Sequence, residues 1–255
     1  MDLTLTQTLA LCGFIFLGGF VDSIAGGGGL ITLPAYFAVG LPAHAALATN
    51  KFSSVCGTFT AVTRYWRAGT MNVKVGLFAA AGALAGSAVG AKIALLVPAQ
   101  AINTVMLVLV PAVLVFLLLK DRIVPQPPAS SLQPSALQLR FLAIGAVIGT
   151  YDGFFGPGTG TFLAIAFAAF LGFDLLTASA NARLANLASN AGSVAVFLLD
   201  AKVLFPLAIY AAGAGIAGNL LGSMLAVRKG TRVIRPLMVV VLVLLLAEVF
   251  RRRFL

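Results

Sequence analysis

The sequence predicts an all-α, polytopic membrane protein, and two properties of its composition support this prediction. Hydrophobic residues make up 60% of the 255 residues and charged residues only 9%, and the mean hydropathy is +1.06, well above that of soluble globular domains. The apolar stretches are also rich in Ala and Gly, and they lack the alternation of apolar and polar residues that membrane strands show. The chain is therefore expected to cross the bilayer as helices.

About eight apolar stretches are long enough for this, because a hydrocarbon core of ~30 Å needs about 20 helical residues. They span residues 5–25, 43–66, 72–94, 98–119, 138–155, 175–199, 202–226 and 231–250. Two shorter apolar stretches, 29–40 and 158–171, each follow a glycine-rich segment. We expect these two to form half-helices that do not span the bilayer on their own.

The first glycine-rich segment reads GFVDSIAGGGGLITLP over residues 19–34, with Asp22 placed before four glycines, Gly26 to Gly29. A charged group is costly inside lipid, and glycine is a poor helix former. The combination predicts a functional break in a membrane helix, where the backbone approaches a ligand. Close packing of helices is the alternative explanation for the glycines.

The same break occurs twice in the chain. Residues 22–28 align with residues 152–158, and two further segments align in the same order: ATNK at 48–51 with ANAR at 180–183, and GSAVG at 86–90 with GNLLG at 218–222. The last pair has the GxxxG spacing that lets helix backbones approach closely in lipid. The alignment predicts two membrane repeats, 1–120 and 138–255, joined by a flexible polar linker at 121–137.

Basic residues dominate the charge, with 17 Lys and Arg against 7 Asp and Glu and a formal net charge of +10. They cluster in loops between apolar stretches, which favours contact with anionic lipid and argues against nucleic-acid binding. In the first half the loop with Arg64 and Lys74 is basic, whereas in the second half it is the loop with Arg228. This exchange predicts inverted repeats with their breaks near the bilayer midplane, although the basic residues 251–253 then fall on the outer side.

Inverted repeats with paired broken helices are typical of secondary transporters. Half-helix N-termini and the aligned cations Lys51 and Arg183 favour a small anion as the substrate. If those two cations lie near a membrane surface, they instead extend to the interface. The candidate substrate-binding residues are Ser23, Gly26, Gly27, Gly28, Gly29, Asn50, Lys51, Gly156, Gly158, Asn181, Arg183 and Asn186.

Two carboxylates, Asp22 and Asp152, lie in the breaks. They are candidate proton-coupling residues, because a carboxylate that takes up a proton as the anion binds reduces the charge that crosses the membrane. The alternative is a structural role as ion-pair partners of Lys51 and Arg183, and we expect Lys51 to lie beside Asp22. A third carboxylate, Asp174, precedes a predicted helix and is expected to cap it.

The sequence offers little for catalysis or for metal binding. The chain has one histidine, His44, and two cysteines, Cys12 and Cys56, which do not form a CxxC motif. No nucleophile–base set, metal site, cofactor or disulfide is predicted. A membrane-embedded enzyme is therefore disfavoured, and an anion channel, which needs no coupling ion, is the main alternative to a transporter. The sequence does not indicate an oligomeric state.

Three segments, GFVDSIAGGGGLITLPA, ALATNKF and YDGFFGPGTGTF, resemble the signature segments of the TauE/SafE sulfite-exporter family, and in particular its YfcA-like branch. The resemblance covers almost the whole chain. It implies a multi-pass permease of the bacterial cytoplasmic (inner) membrane that moves sulfite, sulfonates or other organosulfur anions. The matching positions are Asp22, Gly26 to Gly29, Asn50, Lys51, Asp152, Gly156, Pro157 and Gly158, and Arg183 stands where the resemblance implies a lysine.

Overall fold

A computed structural model describes residues 3–101 and 134–230. Within these ranges the chain is all-helical, with no strand, which confirms the predicted fold class of a multi-pass membrane protein. The predicted helix at 231–250, most of the helix at 98–119 and most of the linker at 121–137 lie outside the described residues. The helices are α1 Leu5–Ala25, α2 Gly29–Ala38, α3 Ala43–Arg67, α4 Val73–Leu96, α5 Pro134–Phe154, α6 Thr159–Leu171, α7 Leu175–Leu199 and α8 Phe205–Lys229.

Among the described residues, four helices are both long and apolar enough to cross a membrane, namely α1, α4, α7 and α8. The α3 helix has 25 residues, or about 37 Å at ~1.5 Å per residue, but polar side chains such as Asn50 and Ser53 lower its hydropathy. With 10 and 13 residues, α2 and α6 are too short to span the bilayer. They are the two half-helices that the sequence predicts.

Both breaks before the half-helices use glycine conformations that other residues rarely adopt. The α1 helix ends at Gly26 with φ +86°, and the α5–α6 junction contains Gly156 with φ +98° and Gly158 with φ +82°. Glycine has no Cβ to clash in this left-handed region, so it can end one helix and begin the next within a few residues. The breaks therefore follow directly from the glycines in the sequence.

The long helices pack in close pairs, α1 along α8 and α4 along α5. The predicted GxxxG spacings lie at these interfaces. The backbones approach so closely that a side chain has no room, since a Cβ would collide with a carbonyl oxygen of the facing helix at Gly86, Gly90, Gly218 and Gly222. This confirms the close packing that the spacing predicts.

The packing also relates the two halves of the chain. If α1 corresponds to α5, α3 to α7 and α4 to α8, then the α1–α8 contact becomes the α4–α5 contact. The same correspondence relates the α3–α8 contact to the α4–α7 contact. It also relates the α3–α7 contact to itself, because these two helices correspond to each other. This pattern supports the predicted duplication, which stays a prediction. The α3 and α7 helices, which carry the two predicted cations, lie at the centre of the arrangement.

Candidate functional site

The two glycine breaks lie against each other. The backbone N–H of Thr161 in α6 donates to the carbonyl of Gly26 at 3.1 Å, and the Thr161 hydroxyl donates to the carbonyl of Ala25 at 2.7 Å. On the other side of the junction, a Cβ added at Gly29 would lie 3.2 Å from the Cα of Pro157. The unsatisfied carbonyls at the end of α1 are thus capped by the second half-helix.

Asp22, the carboxylate of the first break, pairs with Arg183 of α7. The distance from Arg183 Nη1 to Asp22 Oδ2 is 3.0 Å, and the same nitrogen donates to the Asp22 carbonyl oxygen at 2.7 Å. The backbone N–H of Gly28 donates to Asp22 Oδ1 at 3.2 Å. Arg183 is 1% exposed, whereas the Asp22 side chain is 19% exposed. The carboxylate is therefore the accessible member of this pair.

Asp152, the carboxylate of the second break, pairs with Lys51 of α3. Lys51 Nζ lies 2.7 Å from Asp152 Oδ2, and the side chains are 3% and 2% exposed. Two hydroxyls also donate to this carboxylate, Ser189 to Oδ2 at 2.6 Å and Thr159 to Oδ1 at 2.7 Å, and the single Thr159 hydrogen is shared with the Gly156 carbonyl at 2.6 Å. This pair is fully buried, and its carboxylate accepts from three side chains.

The pairing corrects one expectation. We expected Lys51 beside Asp22, but Asp22 pairs with Arg183 and Lys51 pairs with Asp152. The partners are exchanged because the two breaks meet head to head, which brings each carboxylate to the cation of the other half. Each ion pair therefore joins the first half of the chain to the second.

The two pairs are not equivalent. Thr159 and Ser189, which donate to Asp152, align with Gly29 and Gly57 of the first half. Glycine has no side chain to donate, so Asp22 has no counterpart of these two hydrogen bonds. Asp152 is therefore held by hydroxyl donors that Asp22 lacks.

A cavity of about 40 Å³ lies among the breaks and the central helices. One water needs about 10–15 Å³ by this measure, so the cavity holds about three waters or one compact ion. Ten of the predicted site residues line it. These are Asp22, Gly26, Gly28, Gly29, Asn50, Lys51, Asp152, Gly156, Gly158 and Asn186.

Sequence comparison now identifies the family. The Sulfite exporter TauE/SafE family matches residues 11–249. The chain belongs to this family. The relatives of this TauE/SafE chain include the "Probable membrane transporter protein YfcA" of Escherichia coli, 36% identical over 91% of this chain and 86% of the relative. No solved structure matches the chain.

Two other relatives carry similar names. The "Probable membrane transporter protein ORF9" of a Sinorhizobium species is 36% identical over 89% of this chain and 85% of its own. A "Probable membrane transporter protein" of Haemophilus influenzae is 32% identical over 97% of this chain and 96% of its own. Membrane transport is therefore the shared description of these TauE/SafE relatives.

Four predicted site residues of the TauE/SafE chain do not line the cavity. Ser23 donates to the Phe20 carbonyl at 3.0 Å and is fully buried. Asn181 donates to the Thr177 carbonyl at 2.9 Å. Arg183 lies behind the cavity wall, with its guanidinium against the backbones of two lining glycines, Gly26 and Gly160. The fourth is Gly27, where a Cβ would meet only the tip of Leu30, 3.7 Å away.

The cavity also has polar lining residues that sequence reasoning missed, among them Thr32, Ser54, Thr58, Asn190 and Asn219. Helical spacing provides a signal for three of them, since residues three, four or seven positions apart share a helix face. Ser54 and Thr58 follow Lys51 at this spacing, as Asn190 follows Asn186. Asn219 lies inside the segment that we interpreted only as a packing motif.

Several buried polar atoms around the cavity have no hydrogen-bond partner among the described residues. Three are side-chain oxygens of cavity-lining residues, on Thr32, Asn50 and Asn219. Two more are nitrogens of Arg183, Nε and Nη2. A buried polar group without a partner costs free energy, so such groups are rare in folded proteins unless they serve a function. The described residues thus place unpaired acceptors on the cavity lining and unpaired donors behind its wall.

No group of three or more His, Cys, Asp or Glu side chains in the described ranges is arranged as metal ligands. The lone histidine, His44, lies in the first turn of α3 and contacts the end of α4, with Nε2 3.1 Å from the carbonyls of Ala94 and Val97. The polar groups that line the cavity are carboxylates, amides, hydroxyls and the Lys51 ammonium, with Arg183 behind the wall.

Proposed function

We propose that the protein is a secondary transporter of the bacterial cytoplasmic membrane that moves a small anion, such as sulfite, a sulfonate or another organosulfur anion, together with a proton. The observation that carries this proposal is the pair of crossed ion pairs at the meeting point of two half-helices. Buried charges next to broken helices are the feature that marks substrate sites in transporters.

An anion is the substrate that this chemistry favours. Lys51 lines the cavity, and Arg183, which has two buried nitrogens without a partner among the described residues, lies directly behind its wall, so both cations favour negative charge in the cavity. The α2 and α6 helices begin at the cavity, where their positive dipole ends favour negative charge. The glycines of both breaks let a ligand approach the backbone closely. All of these features favour the binding of a negatively charged ligand.

The balance of charges supports proton coupling. Two cations and two carboxylates make the ionised site neutral, so an arriving anion adds one uncompensated negative charge in a region of low dielectric constant. A proton on one carboxylate restores neutrality. Asp22 is the better candidate, because it is partly exposed and accepts from one side chain, whereas Asp152 accepts from three.

The size of the cavity favours a compact substrate. At about 40 Å³ it suits an anion of sulfite size in this conformation, and a longer sulfonate requires the two breaks to move apart. Because the cavity lies between the two halves of the chain, movement of one half against the other would expose it to alternate sides of the membrane.

Flux measurements on the purified protein in liposomes test the proposal. A proton-coupled carrier takes up radiolabelled sulfite when the interior is made alkaline, and uptake stops when a protonophore collapses the pH gradient. Protein-free liposomes and the Arg183→Ala variant serve as controls.

The same liposomes distinguish a channel. In a channel, sulfite flux follows an electrical potential imposed with potassium and valinomycin, and it persists without a pH gradient. Flux of that kind, or none for any organosulfur anion, contradicts the proposal.

A further inference from the structure

The cavity contains acceptor oxygens that a bare oxyanion cannot satisfy. The side-chain oxygens of Thr32, Asn50 and Asn219 have no hydrogen-bond partner among the described residues. These residues are 6%, 5% and 3% exposed, and all three line the cavity. The Thr32 hydroxyl could donate to a fully deprotonated oxyanion, but the amide oxygens of Asn50 and Asn219 only accept, and such an anion would leave them without a donor.

Asn219 gives the clearest case, because its own contacts fix the orientation of its amide. The Nδ2 group donates to the carbonyl of Gly215 at 3.0 Å. The same group lies against the glycine surfaces of α1 and α3, where a Cβ at Gly19 would be 2.7 Å from it. The unpaired atom is therefore the amide oxygen, which can only accept a hydrogen bond.

The acceptors are confined to one side of the pseudo-symmetric arrangement. In the alignment of the two halves, Thr32 corresponds to Phe162, Asn50 to Ala182 and Asn219 to Ser87. Neither Phe162 nor Ala182 has a side-chain oxygen. Ser87 is satisfied, since it donates to the Leu84 carbonyl at 3.0 Å. The unpaired oxygens thus lie on α2, α3 and α8, and because their aligned counterparts lack them they are not a consequence of the duplicated scaffold.

We propose that the cavity selects a small anion that also carries a hydrogen-bond donor, either an acidic O–H on the oxyanion or an N–H on its substituent. This proposal rests on the function proposed above and specifies the class of anion that the same cavity binds. The cationic groups bind the negatively charged oxygens, and the unpaired oxygens of Thr32, Asn50 and Asn219 accept from the donor.

A donor-bearing anion fits the site better than the other possible occupants. A metal cation would satisfy the oxygens, but it would enter a site that already contains Lys51 and has Arg183 directly behind its wall. Water would satisfy them without selectivity. An anion with its own donor matches both the positive charge of Lys51 and the half-helix N-termini and the unpaired oxygens. A site built to pair with such a donor strongly rejects an analogue that lacks it.

Sulfamate and methanesulfonate provide a matched pair of probes. Both are tetrahedral monoanions at neutral pH and have nearly the same size, but sulfamate carries an N–H donor where methanesulfonate has a methyl group. Binding of each to the full-length protein in detergent is measured by calorimetry and by thermal stabilisation. We expect sulfamate to bind at least about tenfold more tightly, or about 1.4 kcal/mol.

Variants assign the preference to the cavity. Asn219→Leu and Asn50→Leu remove the two amide acceptors while keeping the branched shape of the side chain, and each is expected to weaken sulfamate binding more than methanesulfonate binding, so that the preference for sulfamate falls. Asn50→Leu provides an independent test if Asn219→Leu fails to fold. The matched control is Asn181→Leu, because Asn181 also has a buried, unpaired amide oxygen but does not line the cavity. Its sulfamate preference should equal that of the wild type.

The possible results separate this inference from the proposed function. If both anions bind equally well, selection by a donor is wrong and anion transport stands. If neither anion binds and no other organosulfur anion does, both proposals fail. If sodium stabilises the protein without any anion and Asn219→Leu removes that effect, the oxygens form a cation site, and the inference is overturned.

Discussion

One nitrogen of Arg183 holds both the backbone and the side chain of Asp22. Nη1 lies 2.7 Å from the Asp22 carbonyl oxygen and 3.0 Å from its carboxylate Oδ2. A residue of α7 thereby fixes the last turn of α1 just before its glycine break. The glycines determine where the first half breaks, and a side chain of the second half holds the helix end at that point.

The buried Lys51–Asp152 pair allows a test that separates stability from transport. Lys51→Met leaves Asp152 unpaired in the interior and should reduce the free energy of unfolding by about 3–5 kcal/mol. Adding Asp152→Asn removes the lone charge and should restore most of that loss, without restoring transport. Denaturant unfolding in detergent measures the first effect and liposome flux the second. Wild-type flux in the double variant would show that the pair is only structural.

Asp22→Asn tests proton coupling. The asparagine is permanently neutral and mimics the protonated carboxylate, so we expect the variant to bind substrate and to support exchange of substrate across the membrane. Uptake driven by a pH gradient should be lost, because no proton can be carried. Asp152→Asn serves as the comparison, and it should reduce stability as well as transport. If Asp22→Asn still accumulates substrate in response to the gradient, coupling depends on another group.

The predicted inversion of the repeats is tested by the sidedness of three loops. Single cysteines at Lys74 and Arg228 should react with a membrane-impermeant reagent only from the cytoplasmic side, and a cysteine at Lys202 only from the outside. The background is a variant without Cys12 and Cys56. Labelling of positions 74 and 202 from the same side would show that the repeats are parallel.

Gly26→Ala tests the geometry of the first break. Gly26 has φ +86°, and a Cβ there would collide with Arg183 Nη2 and the Thr161 backbone nitrogen. The left-handed conformation alone costs about 1–2 kcal/mol, and the collision adds to it. We therefore expect a loss of thermal stability and of transport. Gly13→Ala is the matched control, because a Cβ at this helical position meets nothing within 4 Å and should stabilise α1 by up to about 1 kcal/mol.

Asp174 outside the membrane spans gives a pH-dependent prediction. Its Oδ1 accepts from the backbone N–H groups of Leu176 and Thr177 at 3.0 and 3.1 Å, which confirms the predicted cap of α7. Partial burial acts to raise the pKa of Asp174, but these bonds and the Thr177 side chain outweigh it and lower the pKa.

Because the folded-state pKa is lowered, the stabilisation is complete above the ordinary value of about 3.9 and is lost as the pH falls through the folded-state pKa. Asp174→Ala should cost about 1 kcal/mol at neutral pH. The difference from wild type should disappear in strong acid, as measured by denaturant unfolding, and a difference that persists there would contradict the assigned role.

Most of the described fold could be predicted because its determinants are local. Long apolar stretches define α1, α4, α7 and α8, and the glycines define where α2 and α6 begin. The start of α5 was the least accurate boundary, at Pro134 instead of 138. Residues 134–137 have the polar composition of the linker, so the sequence does not distinguish them from it. Proline is nevertheless favoured in the first turn of a helix, where no backbone N–H is needed.

The site could be predicted only in part, because its pairings are long-range. The sequence identifies the charges of both breaks as unusual, but the choice between Lys51 and Arg183 as the partner of Asp22 depends on how the two halves cross. Asn219 was missed for a different reason. It lies between two glycines of a packing motif, and only the three-dimensional structure shows that its amide oxygen has no partner.

The exchange of partners between the two halves has a consequence for the biogenesis of the protein. During synthesis the first half enters the membrane with Asp22 and Lys51, and each pairs with a residue that has not yet been made. Until Asp152 and Arg183 arrive, neither charge has the counter-ion it will have in the mature protein. Maturation is therefore completed only by the second half. A prematurely terminated chain would keep Asp22 and Lys51 in the membrane without these counter-ions, and such exposed charges mark an unassembled chain for membrane proteases.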